Sequence, residues 1–270
     1  MRPALVPLRR FPRWVSRRLG PLALLALAAL LAGCGASTIP AVHSESERLD
    51  QGRLALGKHE YNVALELLKS YVSNNAGGAD VDQAIELLGE TNLRIKDWAE
   101  AQSQFERVLR DYPESDSAGA ASFYLGEALW GQSRGPAFDQ EFTQRALEQW
   151  ESYLRSYPGH WLNDAATARA QRARERLATK LADAGWLYLK LERTGPARVY
   201  FQRVLDDYPD TGIATDARFG LAVADARSGK RDEGMAALRD LISRFPGRPV
   251  TERAARELAR LERQGAKQKK

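Results

Sequence analysis

A single punctuation mark recurs along the chain and limits what it can fold into. It reads Leu-Arg-Asp-Tyr-Pro at 109–113, Leu-Arg-Ser-Tyr-Pro at 154–158 and Leu-Asp-Asp-Tyr-Pro at 205–209, and a shorter copy, Ser-Arg-Phe-Pro, ends at Pro246. Each copy closes an amphipathic stretch, and a new helical pattern begins at once. Proline has no N–H to continue a helix, and it pushes the residue before it out of the α region. The chain is therefore a series of helices stopped at set places.

Counting back from each proline, small and large residues return at fixed offsets. Gly89, Ala101, Phe105 and Val108 precede Pro113 at the same distances as Gly185, Ala197, Phe201 and Val204 precede Pro209, and Trp98 sits between Gly89 and Ala101. Ala146, Trp150 and Tyr153 keep the last three offsets before Pro158, but Gly126 lies further back, so residues have been inserted there. Small residues let two helices approach, and large ones fill the groove between them. This is the pattern of the tetratricopeptide repeat, a helix–turn–helix of about 34 residues.

The net charge of +5 over 270 residues misleads until the amino terminus is set aside. Arg2, Arg9, Arg10, Arg13, Arg17 and Arg18 precede an uncharged run at 19–33 that is rich in Leu and Ala, the pattern of a secretory signal. Its 15 residues are short for a spanning helix, which needs roughly 20. Without 1–33 the net charge is −1, which removes nucleic acid as an expected partner. The tail at 252–270 stays basic, with seven positive and three negative residues. It reads as a solvated last helix or as a surface for an acidic partner or anionic headgroups.

The signal ends Leu31-Ala32-Gly33-Cys34, and Cys34 is the only cysteine. This resembles a bacterial lipobox, in which the cysteine is acylated and becomes the first mature residue; the alternative is an ordinary cleavage site. A lipidated Cys34 leaves no thiol for a disulfide or for catalysis, and several acyl chains anchor stably where one does not. The next residue is Gly35, not the aspartate that favours inner-membrane retention in enteric lipoproteins. That resemblance implies the outer membrane, facing the periplasm, and no cofactor besides the acyl and diacylglycerol groups on Cys34.

The expected organisation is a signal peptide at 1–33, a lipidated tether at 34–43, repeats one and two at 44–113, and repeat three at 114–158 with an enlarged turn at 131–142. Repeats four and five follow at 159–246, then a capping helix and basic tail at 247–270. Ser44 and Glu47 have capping-box spacing for the first helix. Asn163 is the expected N-cap of an unusually long helix opening repeat four, near 30 residues or ~45 Å. A last helix is expected from about Pro249 to Gln264. No segment has strand periodicity, so the expected fold is all-α, a right-handed superhelix of about five tetratricopeptide helix pairs with a C-terminal capping helix.

Signals of catalysis are sparse. Gly131-Gln132-Ser133-Arg134-Gly135 matches G-x-S-x-G, but that elbow needs a strand-to-helix turn and partners from later loops, and the only later histidine is His160. His43, His59 and His160 have no partner at metal-ligand spacing. Neither Gly57-Lys58 nor Gly229-Lys230 completes a phosphate loop. The reading is a non-enzyme that binds no metal, with a Ser133 hydrolase as the rival from another class. Trp130, Phe138 and Trp161 fall where the repeat requires no bulk, and are candidate anchors or local packing.

With its lipobox, short tether and five helix pairs, the chain resembles the BamD-type lipoproteins of the outer-membrane β-barrel assembly machine. The resemblance covers about 44–263. It is carried by Asp139-Gln140-Glu141-Phe142-Thr143 before the second helix of repeat three, by Arg174-Glu175-Arg176-Leu177-Ala178 in the long helix, and by Arg203-Val204-Leu205 running into Tyr208-Pro209-Asp210-Thr211. Two departures stand out. Ala137-Phe138 replaces the family's Asp-Arg, and Tyr200 replaces an arginine on a helix face that helps dock the barrel component; Arg203 lies one turn along.

The resemblance implies a non-enzymatic scaffold that binds a BamA-type barrel protein, with accessory lipoproteins as further partners, and that receives unfolded outer-membrane proteins. Substrate would meet repeats one to three, through Tyr61, Tyr71, Trp98, Phe123, Tyr124 and Trp130. The barrel protein would meet Phe138, Asp139, Gln140, Arg198, Tyr200 and Arg203, with repeats four and five and the tail. The lipid anchor would sit in the inner leaflet of the outer membrane. Another periplasmic scaffold lipoprotein with these repeats, a secretin pilot or an envelope-division coordinator, is the alternative.

Overall fold

The computed structural model describes residues 40–268; the expected signal peptide and Cys34 lie outside them. Among the described residues there are eleven helices and no strand: α1 (Glu45–Gly57), α2 (Tyr61–Asn74), α3 (Val81–Arg94), α4 (Trp98–Asp111), α5 (Ser117–Gln132), α6 (Glu141–Ser156), α7 (Asn163–Lys190), α8 (Thr194–Asp207), α9 (Ile213–Arg227), α10 (Arg231–Arg244) and α11 (Pro249–Gln268). Neighbours pair as antiparallel hairpins. The first helices of successive pairs also pack on one another, α1 on α3, α3 on α5, α7 on α9 and α9 on α11, while the second helices do not do so to a like extent. The first helices thus form an inner layer and the second helices an outer one, the arrangement of a tetratricopeptide superhelix.

The recurring punctuation has one geometry. Tyr112, Tyr157, Tyr208 and Phe245 each follow the last residue of an outer helix with φ between −125° and −137° and ψ between 48° and 59°. Each still donates its N–H to the carbonyl four residues back, so the aromatic residue satisfies one orphan group as it turns the chain out. The turns within pairs one, two and four place His59, Lys96 and Glu192 at φ near +60°, two residues before the next helix, and Gly229 does the same in pair five. The residue after each donates to the carbonyl five back, as in Glu60 to Ala55 and Asp97 to Asn92, a Schellman closure.

The start of α1 follows its capping-box pattern with a shift. Ser44 Oγ accepts from Glu47 N at 3.1 Å, and the Glu47 carboxylate accepts from His43 N at 2.8 Å rather than from the cap itself. Asn163 is not the N-cap of α7: Leu162 holds that place, and Asn163 is the first helical residue. The long helix has 28 residues. α11 runs to Gln268, four residues past the expected end.

The offsets that marked the repeat are points of helix contact. Phe105 lies against Gly89, where an added Cβ would meet its ring at 2.6 Å, and Trp150 lies against Gly126 at 2.3 Å. Phe201 serves two glycines at once, Gly185 at 2.7 Å and Gly220 at 2.4 Å. All three aromatic residues are fully buried. The core falls into two clusters that meet inside α7. The first runs from Leu49 to Leu177 and the second from Ala178 to Leu261, so one long helix belongs to both.

Candidate functional site

Three surfaces offer chemistry, and the inner layer carries two of them. Its charge is divided by half: α1, α3 and α5 hold seven acidic and three basic residues, while α7, α9 and α11 hold eight acidic and thirteen basic.

In the amino-terminal half, Asp82, Glu86 and Glu90 follow one another at four-residue spacing on one face of α3. Ser117 of α5 donates to Asp82 at 3.1 Å, and Arg53 of α1 donates to Gln83 at 2.6 Å. Burial, with the Glu90 and Asp82 carboxylates beside it, pushes Glu86 up to about 7. Tyr124 of α5 is raised above the usual phenol range by burial and by Glu90 and Glu86. Tyr124 also stacks on Phe105 at 5.8 Å and meets Phe123 edge-on at 5.3 Å. The result is a half-buried strip of carboxyls backed by aromatic rings.

The second surface is the enlarged turn, which is shorter than expected. Gly131 and Gln132 belong to α5, because Gly131 gives room to Trp98, whose ring lies 2.3 Å from where a Cβ would stand. The turn is 133–140. The Gln140 side chain sits inside it, with Nε2 between 2.8 and 3.3 Å of the carbonyls of Gly135, Asp139, Phe138 and Arg134, and its Oε1 accepts from Thr143 at 2.8 Å. From α7, Arg176 donates to Ser133 Oγ at 2.5 Å and Lys180 to the Phe138 carbonyl at 2.6 Å. Arg176 also lies 3.5 Å over the Trp130 ring, with Arg172 beyond it at 5.5 Å. Phe138 stays 48% exposed under the Arg134 guanidinium, which lies 3.9 Å from its ring.

The Ser133 elbow does not form. The hydroxyl donates to the Trp130 carbonyl at 2.7 Å at a helix end, and His160 is bound elsewhere, to Tyr153 at 2.6 Å.

The third surface lies in the carboxy-terminal half. Arg174, on the opposite face of α7 from Arg176, binds Asp210 at 2.6 Å and the Asp207 carbonyl at 3.0 Å, clamping the close of repeat four. That hydrogen bond holds the Asp210 carboxyl below its ordinary range. On α8, Tyr200 stacks on Tyr188 at 5.4 Å, and Arg198 pairs with Asp225 at 2.5 Å. Arg203 instead lines an open groove of about 380 Å³ with Val199, which is 60% exposed, and Leu221. On the inner side, Trp186 meets Phe201 at 4.9 Å and Phe219 at 5.7 Å, and Arg253 of α11 covers Phe219 at 4.7 Å.

Several expected contact residues change role. Tyr71, Phe123 and Gln140 are buried, at 5%, 4% and 4% exposure, so they support the surface rather than meet a partner. Tyr61 holds His59 at 2.8 Å, and Trp98 and Trp130 are half-buried by Gly131 and by the α7 arginines. Tyr124, Phe138, Asp139, Arg198, Tyr200 and Arg203 keep exposed or half-exposed atoms, and Trp161 is 74% exposed. Sequence reasoning missed Glu86 and Glu90, and it marked the α11 arginines only as part of a basic tail. The four-residue spacing of Arg172, Arg176 and Lys180 was the available sign of a stripe on α7.

Residues 42–239 match the family model described as YfiO, outer membrane lipoprotein. Two relatives named outer membrane protein assembly factor BamD are similar over most of their lengths. That of Haemophilus influenzae is 23% identical, covering 75% of this chain and 82% of its own. That of Caulobacter vibrioides is 24% identical, covering 84% and 76%. Among solved structures, a tetratricopeptide repeat protein from Bacteroides fragilis is 13% identical, with a TM-score of 0.46 over 82% of this chain and all of that one. The chain belongs to the YfiO family of outer membrane lipoproteins and is a BamD-type tetratricopeptide protein.

Proposed function

We propose that this protein is a non-enzymatic scaffold of outer-membrane β-barrel assembly. A lipid on Cys34 would hold it at the inner leaflet of the outer membrane, facing the periplasm. Its inner surface in pairs one to three receives unfolded outer-membrane proteins, and the outer face of pair four docks a BamA-type barrel component. The observation that carries this reading is the division of the inner layer into an acidic and a basic half, joined through one long helix that belongs to both cores, within a family of this kind. A solenoid presents a long surface able to take an extended or helical segment. The carboxyl and aromatic strip at Glu86, Glu90 and Tyr124 suits an extended chain, offering hydrogen-bond acceptors beside apolar rings. The α8 groove suits a folded partner, because Val199 is an exposed apolar centre ringed by Arg203, Gln202 and Asp206.

The test is co-purification of tagged full-length protein from gently solubilised membranes. Val199→Asp with Arg203→Glu should lose the barrel protein, since both side chains face solvent and neither holds the fold. Arg198 is a poorer probe, because its pairing with Asp225 makes its loss a structural change as well. A double variant that retains a stoichiometric barrel protein refutes the docking surface. A secretin or a division complex as the main partner of the parent protein refutes the assembly role and leaves the fold unaffected.

A further inference from the structure

Helix α11 has one side buried and another with no helix against it. Val250, Ala254 and Leu261 form the buried side. Arg253, Arg256, Arg260 and Arg263 recur at three- and four-residue spacing and so form one stripe beside it. With Phe219 of α9 and the small residues Ala255 and Ala259, they line an open depression of about 700 Å³. Within the molecule this charge is only partly met. Arg253 binds Asp216 at 2.7 Å and Arg260 binds Glu257 at 2.5 Å. Arg256 reaches Glu252 only at 3.7 Å, with both side chains at least 70% exposed, and such a pair contributes little. Arg263 forms no ion pair among the described residues.

We infer that this depression is a docking site for an acidic peptide segment of a partner protein, with carboxylates on Arg256 and Arg263 and its backbone over the exposed Ala255 and Ala259, above a floor of Arg253 and the buried Phe219. Guanidinium groups match carboxylates in a two-pronged geometry, and Ala255 and Ala259 leave room for a backbone to come close. Arg253 is held over Phe219 at 4.7 Å and against Asp216 at 2.7 Å, so the floor is formed before anything binds. A membrane headgroup fits less well, because a lipid surface calls for arginines on a protruding face and these border a hollow with an aromatic base. The site is separate from the α8 groove and is independent of the docking assigned to Val199 and Arg203.

The experiment uses full-length protein in neutral detergent and a short fluorescent peptide of Glu and Leu residues, with its Gln and Leu counterpart as reference. The Glu peptide should bind at least tenfold more tightly, and added salt should weaken it. Arg256→Glu with Arg263→Glu should weaken the Glu peptide by about tenfold or more, while Arg203→Glu should leave it unchanged. Equal binding of both peptides, or a double variant that binds like the parent protein, overturns the inference. So does a short-chain phosphatidylglycerol that binds through the same two arginines when the peptide does not. Loss of the barrel protein in the Val199 and Arg203 variant is read separately, so each surface can fail alone.

Discussion

Pairs one to three and pairs four and five are built on one repeat, yet they pack and present it differently. The amino-terminal half gives each packing glycine its own large side chain, Leu68 on Gly52, Phe105 on Gly89 and Trp150 on Gly126. The carboxy-terminal half turns a single ring, Phe201, toward both Gly185 and Gly220, and surrounds it with alanines. The inner surfaces then diverge, carboxyls and phenols in one half, guanidiniums over an indole and a phenyl ring in the other. The repeat prescribes what lies between helices and leaves their solvent side free, so two binding chemistries can share one scaffold. Helix α7 joins them. The backbones of α5 and α7 come less close than at the other inner steps, and side chains make that step, with Arg169 on Glu127 at 2.6 Å and Arg176 over Trp130.

The strongest test of two cores is Phe201→Ala. Removing a fully buried phenyl ring costs about 3–5 kcal/mol. Hydrogen exchange should accelerate in α8 to α11 while α1 to α6 keep their protection, and Phe105→Ala should give the reverse. Uniform acceleration in both variants would show one cooperative unit and dissolve the contrast. Gln140→Ala comes next. It leaves several carbonyls and Thr143 without their partner, which costs about 1–3 kcal/mol. The expected sign is protease cleavage within 133–140, with the carboxy-terminal half unaffected. A turn that stays resistant would mean that Arg176 and Lys180 alone hold it.

What the sequence disclosed follows from the range of each signal. The repeat, its aromatic stops and the long α7 were legible because proline and the small–large offsets act within one or two turns of helix. The left-handed turns at His59, Lys96 and Glu192 were not, since only Gly229 carries the residue that such a φ favours. Gly131 was read as part of the loop when its missing Cβ serves Trp98 across the helix pair. Gln140 looked like a contact residue and is a clasp. Glu86 carries no mark of its own in the sequence. Its environment comes from α5, a different helix, and no local pattern reports that.

Glu86→Gln probes the acidic half directly. A buried carboxyl raised to about 7 is stable while protonated, whereas the unfolded chain ionises near 4.3. Its contribution is therefore complete below about pH 4, falls as pH rises, and is gone above about pH 7. The glutamine variant should match the parent protein at pH 4–5 and exceed it at pH 8 by about 1–2 kcal/mol, allowing for partial exposure. Urea midpoints at the two values decide it. A variant equally stable at both would place the carboxyl in water, and the strip would lose its distinction from the arginine side.

The smallest effect concerns the clamp that only the carboxy-terminal half has. Asp210, directly after Pro209, is held by Arg174 from α7. Glu114, directly after Pro113, is exposed and forms no ion pair among the described residues. Asp210 is depressed by that bond, so it stabilises the fold above the ordinary carboxyl range and loses this as pH falls through its lowered value. Asp210→Asn should cost about 0.5–1 kcal/mol at pH 7, in keeping with a partly exposed pair, and nothing in strong acid, where the parent protein has lost the charge as well. Glu114→Gln should cost nothing measurable at either pH. Equal costs at 114 and 210 would assign the effect to the proline turn itself, and α7 would then no longer be the strut that makes the two halves different.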